Sequence, residues 1–500
     1  GSRTNFDGAW HISRGSSETN FGGPMGALGG LAFWHQTQGG SYIDAFRLED
    51  NGRATFAYDA RFYGYVSGSA TSTGSFGILQ LANYNQGIGD VGSTVFGVDA
   101  AKPGMTGTEN TAIGSNALTD ITSGAGNTAL GREAAMNITS GGDNVAIGKL
   151  SLATATSPAF NVAIGNEALR LTNTGGSNVG VGRESGYSGT THSGSVFVGE
   201  HAGYAVTTGN ENIGIGHNTM GGGAITGDGN IAIGAYAGNS LSSGYRNVII
   251  GRNAAQTMNT GIFNTIIGDN AGNDLTNGQY NVFLGLNAGD ATTTGDRLTL
   301  LGTAAGRGNI TTDGIGTVAV GYGAYNVGTS GIGNTVVGYE ALDAEDDGDF
   351  NTAIGYQALT DQTGTSGEVA NTALGYKAGK GVLTGVYNTY IGHQSGLVAS
   401  GSAADANTGV GYRTLEALTS GSENTALGSY AALQLKNAKN IVALGHYTLA
   451  NATTSTHIDG CVAVGAFSQA KKKTGKANVS VGKSALQADQ NGDYSVAVGH

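Results

Sequence analysis

Glu167 and Glu184 stand 17 residues apart in the same place of a recurring pattern. If that pattern stacks rung on rung, their carboxylates approach the roughly 5 Å separation of a retaining glycosidase pair. Like charges stacked in solvent explain them equally well, and nothing around them in the sequence points to a raised pKa. No enzymatic activity is therefore expected. A second candidate is the acidic run Asp343, Glu345, Asp346, Asp347, Gly348 and Asp349. Its Asp-x-x-x-Asp-Gly start resembles a calcium loop, but Ile354 stands where a bidentate Glu is needed, so a solvated loop is the expectation. A third is a row of rings. Tyr322, Tyr339, Tyr356, Tyr376 and Tyr412 follow the motif glycine in several repeats, and His217, His393, His446 and His500 take that slot elsewhere. Tyrosines in such a row either stack on sugars or pack on one another across rungs, and packing is the expected outcome. The histidines fall on separated rungs and cannot chelate within one chain. Gly87, Gly89 and Gly92 match GxGxxG by the chance that a glycine-rich chain allows. No catalytic, cofactor-binding or metal-ligating residue is assigned.

All these residues are positioned by one stretch, Asn351-Thr352-Ala353-Ile354-Gly355, which recurs with near copies starting at Asn110, Asn127, Asn144, Asn161, Asn247, Asn264, Asn371, Asn424 and elsewhere. Its glycine returns about 24 times between Gly97 and Gly499, usually 17 residues from the next. Seventeen extended residues would cover roughly 55 Å, so each repeat must turn back on itself. The expected coil has a first strand carrying the motif, a corner at the glycine, and a second strand such as Gln357-Ala358-Leu359. Another glycine, as at Gly124, Gly244 or Gly421, closes it. The sequence thus predicts an all-β fold: a parallel β-roll or β-solenoid of about 24 coils of about 17 residues, on the order of 115 Å long. Stacked asparagines should form a ladder of side-chain amides, with a ligand-binding row as the alternative.

Side chains alternate along a strand, so Thr352 and Ile354 share a face and Ala353 points away. The first pair is expected to fill the coil's own thin core. The middle position holds Ala112, Ala129, Ala146, Ala163, Ala353 and Ala373, or Phe197, Ile249, Ile266, Phe283, Leu300, Val336 and Tyr390, and is never charged. A strand apolar on both faces must be covered on both. Packing of identical chains against the middle position is the expectation.

Bulk composition agrees. The chain has 90 glycines and 3 prolines in 500 residues, with 12% charged, which suits many tight turns between short strands. A net charge of -12 argues against a nucleic-acid partner. The single Cys461 excludes an internal disulfide framework. No apolar run reaches membrane-spanning length, and no secretory signal is visible. The chain begins at Gly1 and stops one residue past a motif glycine, which reads as a fragment of something longer.

Three segments are expected. Residues 1–66 hold Trp10, Trp34 and a cluster of Phe and Tyr, and Asn51-Gly52 between two strand-like runs signals a hairpin. They read as a β-rich N-terminal cap or adaptor. Residues 67–92 read as a Gly/Ser/Thr-rich linker, and 93–500 as the array. Longer connections near residues 306–316, 361–370, 397–406 and 450–460 fall on one edge of the solenoid. They are either receptor-contact loops or tolerated surface variation, and the second is the expectation.

The motif Asn-(Thr/Val)-Ala-(Ile/Leu)-Gly followed by x-x-Ala resembles the head repeat of YadA-type trimeric autotransporter adhesins. That resemblance implies a left-handed roll, three chains about one axis, and adhesion. Arrays of this type are also similar to those of bacteriophage tail-fibre-like proteins, and residues 52–56 and 67–77 resemble fibre lead-ins. Together these imply a non-enzymatic homotrimeric fibre outside the cell, as a virion tail fibre or on a bacterial surface. Its expected partner is a cell-surface receptor, glycan or extracellular matrix. The alternatives are a bacterial trimeric surface adhesin and, less favoured, a glycan depolymerase on a β-solenoid.

Overall fold

The computed structural model describes residues 92–500 apart from 102–103, 312–313, 364–365, 399–400 and 453–457, and ahead of them the backbone of four strands. The chain divides into two compact units, Gly1–Ala82 and Asn83–His500. In the first, Thr19–Asn20, Gly30–Gln36, Tyr42–Glu49 and Ala54–Phe56 form an antiparallel sheet in chain order. Phe46 pairs with Phe56 and Leu48 with Ala54, the hairpin expected around Asn51-Gly52, whose residues 50–53 lie outside those described. Trp10, residues 67–77, Gly87 and Gly89 also lie outside them.

The second unit is a parallel solenoid. Three-residue strands from Thr94–Phe96 to Val496–Val498 pair each with the next in one continuous ladder. The register advances 17 residues in most steps, as from Thr335 to Thr352. It advances further in five, as from Ala353 to Ala373. The extra residues fall before the motif asparagine, and one pair of such connections adds a short parallel pairing of Gly348–Asp349 with Gly367–Glu368. No helix among the described residues is long and apolar enough to cross a membrane.

Two expectations need correction. First, no second strand follows the motif glycine among the described array residues; tight turns take its place. These turns put Asn116 at φ 59 and Leu118 at φ 49, a left-handed geometry that β pairing does not allow. Coil-to-coil hydrogen bonds hold them there: Asn253 N–H donates to Ala235 O at 2.9 Å, Ala255 N–H to Ala271 O at 2.9 Å, and Asn259 N–H to Thr276 O at 2.7 Å. The backbone is therefore satisfied around most of the coil by the rungs above and below.

Second, the two strand faces are exchanged. Ala112, Ala129, Ala146, Ala353, Phe197 and Phe283 are completely buried inside their own chain, while Thr352 and Ile354 face outward and are half-buried. The coil's return path decides this. Ala117, Leu118 and Ile121 fold back beneath Ala112 and close a core within one chain. Side-chain volumes follow the same arrangement. In several coils with a middle alanine, leucine fills the slot four after the motif glycine, as with Ala353 and Leu359. Where the middle residue is Phe283, that slot is glycine in its own coil and in the coil before it. A Cβ on Gly289 would lie 2.8 Å from the Phe283 ring, and one on Gly272 3.0 Å from it. Phe197 with Gly186 and Gly203, and Tyr390 with Gly379 and Gly396, repeat the exchange.

The motif glycine has a separate reason. Gly251 sits at φ 137, and a Cβ there would overlap Gly268 O on the next rung. The amide ladder is present and structural. Asn247 Nδ2 donates to Asn230 Oδ1 at 2.9 Å and to Gly261 O at 2.8 Å. Asn247 Oδ1 in turn accepts from Asn264 N and Nδ2, both at 3.0 Å. The asparagines are buried, which removes the ligand-row alternative for them. Replacing Asn247 with alanine strands the Asn264 donors and should cost about 2 kcal/mol. By hydrogen exchange, protection of the rungs at 230, 247 and 264 should fall about thirtyfold. Asn247→Ser should lose less, because Ser195 Oγ serves the same position by accepting Asn212 N–H at 3.1 Å.

Candidate functional site

The turn after the motif glycine builds one surface from three columns: the first, second and fifth residues beyond the glycine. The first column carries the tyrosine row. Tyr322, Tyr339, Tyr356 and Tyr376 stack with centroids 5.2, 5.1 and 5.4 Å apart, His393 continues at 4.8 Å, and Tyr412 follows at 5.3 Å. The first three contacts are within 16° of parallel. Each interior ring thus spends its faces on its neighbours and offers solvent its edge and hydroxyl. Cross-rung packing is the state of this row. Tyr322 is the end of the stack: Thr303 occupies the slot above it, and no ring covers its other face among the described residues.

The second and fifth columns supply polar groups beside that row. Glu340 accepts from Gln357 Nε2 at 2.8 Å, and Gln357 Oε1 accepts from Lys380 Nζ at 3.0 Å. Tyr339 hydrogen-bonds the Glu340 carboxylate, which raises the phenol pKa. Asp343 is held by Asn326; burial first, then the Glu340 charge, push its carboxyl above the ordinary range. Gly323 interrupts the second column. A Cβ there would meet only Glu340 Cγ at 3.6 Å and Asp343 Oδ1 at 3.7 Å.

Glu167 and Glu184 are separately engaged. Arg170 Nη1 lies 2.7 Å from Glu167 Oε2. Arg183 Nη1 lies 2.9 Å from Glu184 Oε1, and His201 Nε2 lies 3.1 Å from its other oxygen. Each carboxylate is thus paired with a neighbouring base. His217 contacts Tyr236 in a separate cluster, while His446 is joined to His393 through Tyr412 and Tyr430.

In the acidic run, oxygens of Glu345, Asp346 and Asp347 gather within 4.8 Å of one another. Glu345 is buried and accepts from Gly348 N at 2.8 Å and Gln362 Nε2 at 2.5 Å, and burial raises its pKa. Asp349 accepts Ile332 N–H on the preceding rung at 2.8 Å, and Ile354 lies in a strand. Glu345 thus spends its oxygens on protein donors and, being buried, departs from the solvated loop expected here, while Ile354 offers no carboxylate where a bidentate Glu is needed.

Sequence reasoning passed over a column of core positions seven residues beyond the motif glycine. It holds Ile121, Ile138, Leu241 and Leu418 in ordinary rungs, but Glu345 and Gln362 in one adjacent pair and Lys472 and Asp489 in another. Lys472 is buried, with Nζ 2.8 Å from Asp489 Oδ2 and 2.6 Å from Gly492 O. Polar residues entering a buried column in adjacent rungs were the signal available. His192 was passed over as well. It replaces a closing glycine, and its ring lies fully buried where a Cβ on Gly189 would overlap it. Neither ring nitrogen has a hydrogen-bond partner, Phe197 lies 5.8 Å away, and burial lowers its pKa to about 4. Compared with models of protein families, with curated proteins and with solved structures, the chain matches none.

Proposed function

We propose that the chain is a non-enzymatic structural fibre, a homotrimer that carries a recognition surface outside the cell. One observation carries the reading. The two outward strand columns contain only Thr, Val or Ile in the first and Ile, Leu, Val or Phe in the second, from Thr94 to Val498. Not one charge interrupts them, and Leu284 and Leu427 remain 45% and 50% exposed. An uncharged face running the length of a solenoid calls for a cover with the same rung spacing, which a second copy of this chain provides. The number three follows from the YadA-type resemblance. Exchange of the strand faces moves the contact from Ala353 and its equivalents to Thr352, Ile354 and theirs.

Light scattering tests this. The wild-type chain should give three chain masses, and Leu284→Lys, Leu374→Lys and Leu427→Lys combined should give one with an unchanged β spectrum. A soluble wild-type monomer overturns the assembly. We favour a tail-fibre-like role on the resemblance of residues 52–56 and 67–77 to fibre lead-ins, with a bacterial surface adhesin as the alternative. Antibodies against the array distinguish the two by labelling either virion tails or cell surfaces.

A further inference from the structure

We propose that Thr303, Ala304, Arg307 and Tyr322 form a binding site for the uronic acid units of an acidic polysaccharide. The proposal rests on the recognition half of the preceding reading and gives it a place and a ligand class. Ala304 N–H donates to Leu286 O at 2.9 Å and Gly323 N–H to Thr303 O at 3.0 Å, so the Thr303 rung stands between the Leu286 and Tyr322 rungs. Leu286 is 47% and Tyr322 53% exposed. Two rung spacings, about 10 Å, separate them. The first-column residue between is an exposed threonine where the next four rungs carry a tyrosine. The uncovered face of Tyr322 turns to that place, in the direction from which Tyr339, Tyr356 and Tyr376 each receive a neighbouring ring.

The Thr303 rung lacks a charge as well as a ring. The other two arginines of the second and fifth columns each meet a glutamate in the opposite column of their own rung. Arg170 Nη1 lies 2.7 Å from Glu167 Oε2, and Arg413 Nε lies 2.5 Å from Glu416 Oε2. For Arg307 the opposite position is Ala304, and no ion pair joins Arg307 to a carboxylate among the described residues. Asp290, in the fifth column of the rung before, feels its charge without pairing with it. Arg413 also lies 6.0 Å from the Tyr412 ring centroid while it holds Glu416. One group in the second column thus reaches a first-column ring and a fifth-column charge together. A hydrogen-bond donor points the same way. Asn253 Nδ2 donates to Asn270 Oδ1 at 3.0 Å and Asn270 Nδ2 to Asn287 Oδ1 at 3.4 Å. The Asn287 amide nitrogen is next in that line, and Ala304 offers it no acceptor.

A pyranose lying over Thr303 stacks its apolar face on Tyr322. A uronic acid carries its carboxylate at the rim of that ring, and so at the height of Arg307. The guanidinium then takes it through two parallel N–H bonds, as the glutamates are taken in the other rungs. Ring hydroxyls accept from Asn287. A neutral sugar leaves Arg307 unanswered, and an amine sugar is repelled by it.

The test is calorimetry on the whole chain with galacturonic acid tetramer and with the methyl ester of the same tetramer, which keeps the rings and removes the charge. Wild type should bind the acid about tenfold more tightly than the ester. Arg307→Gln should bring the acid down to the level of the ester. Thr303→Tyr continues the tyrosine row by one rung and should abolish binding of both, with the β spectrum and oligomeric mass unchanged. Tyr322→Ala should weaken both by about tenfold. Arg252→Gln, whose guanidinium is already held 2.9 Å from Asp269, should change neither. Equal binding of acid and ester, or acid binding that survives Thr303→Tyr, overturns the site. Acid binding lost in Arg307→Gln but kept in Tyr322→Ala also overturns it, since ion pairing alone would then be at work. A trimeric wild type that attaches to its target surface yet ignores the acid tetramer removes this site and leaves the fibre reading intact. A monomer that binds the acid tetramer keeps the site and removes the assembly.

Discussion

Ala353→Asp should abolish the solenoid around its rung, whereas Ile354→Asp, one residue along, should leave the coil folded. Ala353 is completely buried and registers between Val336 and Ala373, both equally buried. A carboxylate there meets only apolar side chains from the neighbouring rungs and from Ala358 and Leu359 of its own return turn. Burying an unpaired charge costs several kcal/mol even after it takes up a proton, and the added volume is a further penalty in a core this thin. The expected loss exceeds about 4 kcal/mol. It should appear as a collapse of hydrogen-exchange protection over several rungs, because each coil is stabilised chiefly by its neighbours. Ile354 is half-buried and points out of the coil. Its substitution should change chain folding by less than about 1 kcal/mol and weaken assembly instead. If the two phenotypes are exchanged, with Ile354→Asp unfolding and Ala353→Asp merely monomeric, then Ala353 does not face the core and Ile354 does not face outward.

Acid should loosen the solenoid at His192. The folded imidazole titrates at about 4 because burial disfavours its charged form, against an ordinary value of 6.5. The unfolded coil takes up a proton near 6.5 and the folded one only near 4, so the unfolded state binds more protons between them. Stability from the neutral ring is complete above about 6.5 and is lost as pH falls toward 4, by about 3 kcal/mol in total. Glu345 has the opposite sign. Burial raises its pKa, so the folded state gains from its protonation as pH falls, and acid lability localised there is not expected. The measurement is hydrogen exchange at pH 7 and pH 4.5 across the rungs at 179, 196 and 213. Wild type should lose protection on acidification, and His192→Phe, which keeps a ring in the space left by Gly189 but cannot titrate, should lose far less. Equal losses in the two chains would place the acid response elsewhere.

Repetition explains how much of the molecule could be read from its residues. The period, the parallel strands, the corner glycine and the buried amide ladder all follow from Asn-x-x-x-Gly recurring at 17 residues, because stacking in register leaves each residue type one environment. The candidate site was legible only in outline. The tyrosine row is visible in the sequence, but that its faces are consumed at every rung except the end depends on what stands above Tyr322.

The amino acid order by itself determined a stacked β-solenoid with two uncharged strand faces. Only the tertiary structure decided which of those faces lies inside. Alternation fixes that Thr352 and Ile354 oppose Ala353, yet a two-residue period carries no inward sign when both sides are apolar. That sign came from the return turn, where Leu359 or its glycine equivalent fits the volume of the middle residue and encloses it within a single chain.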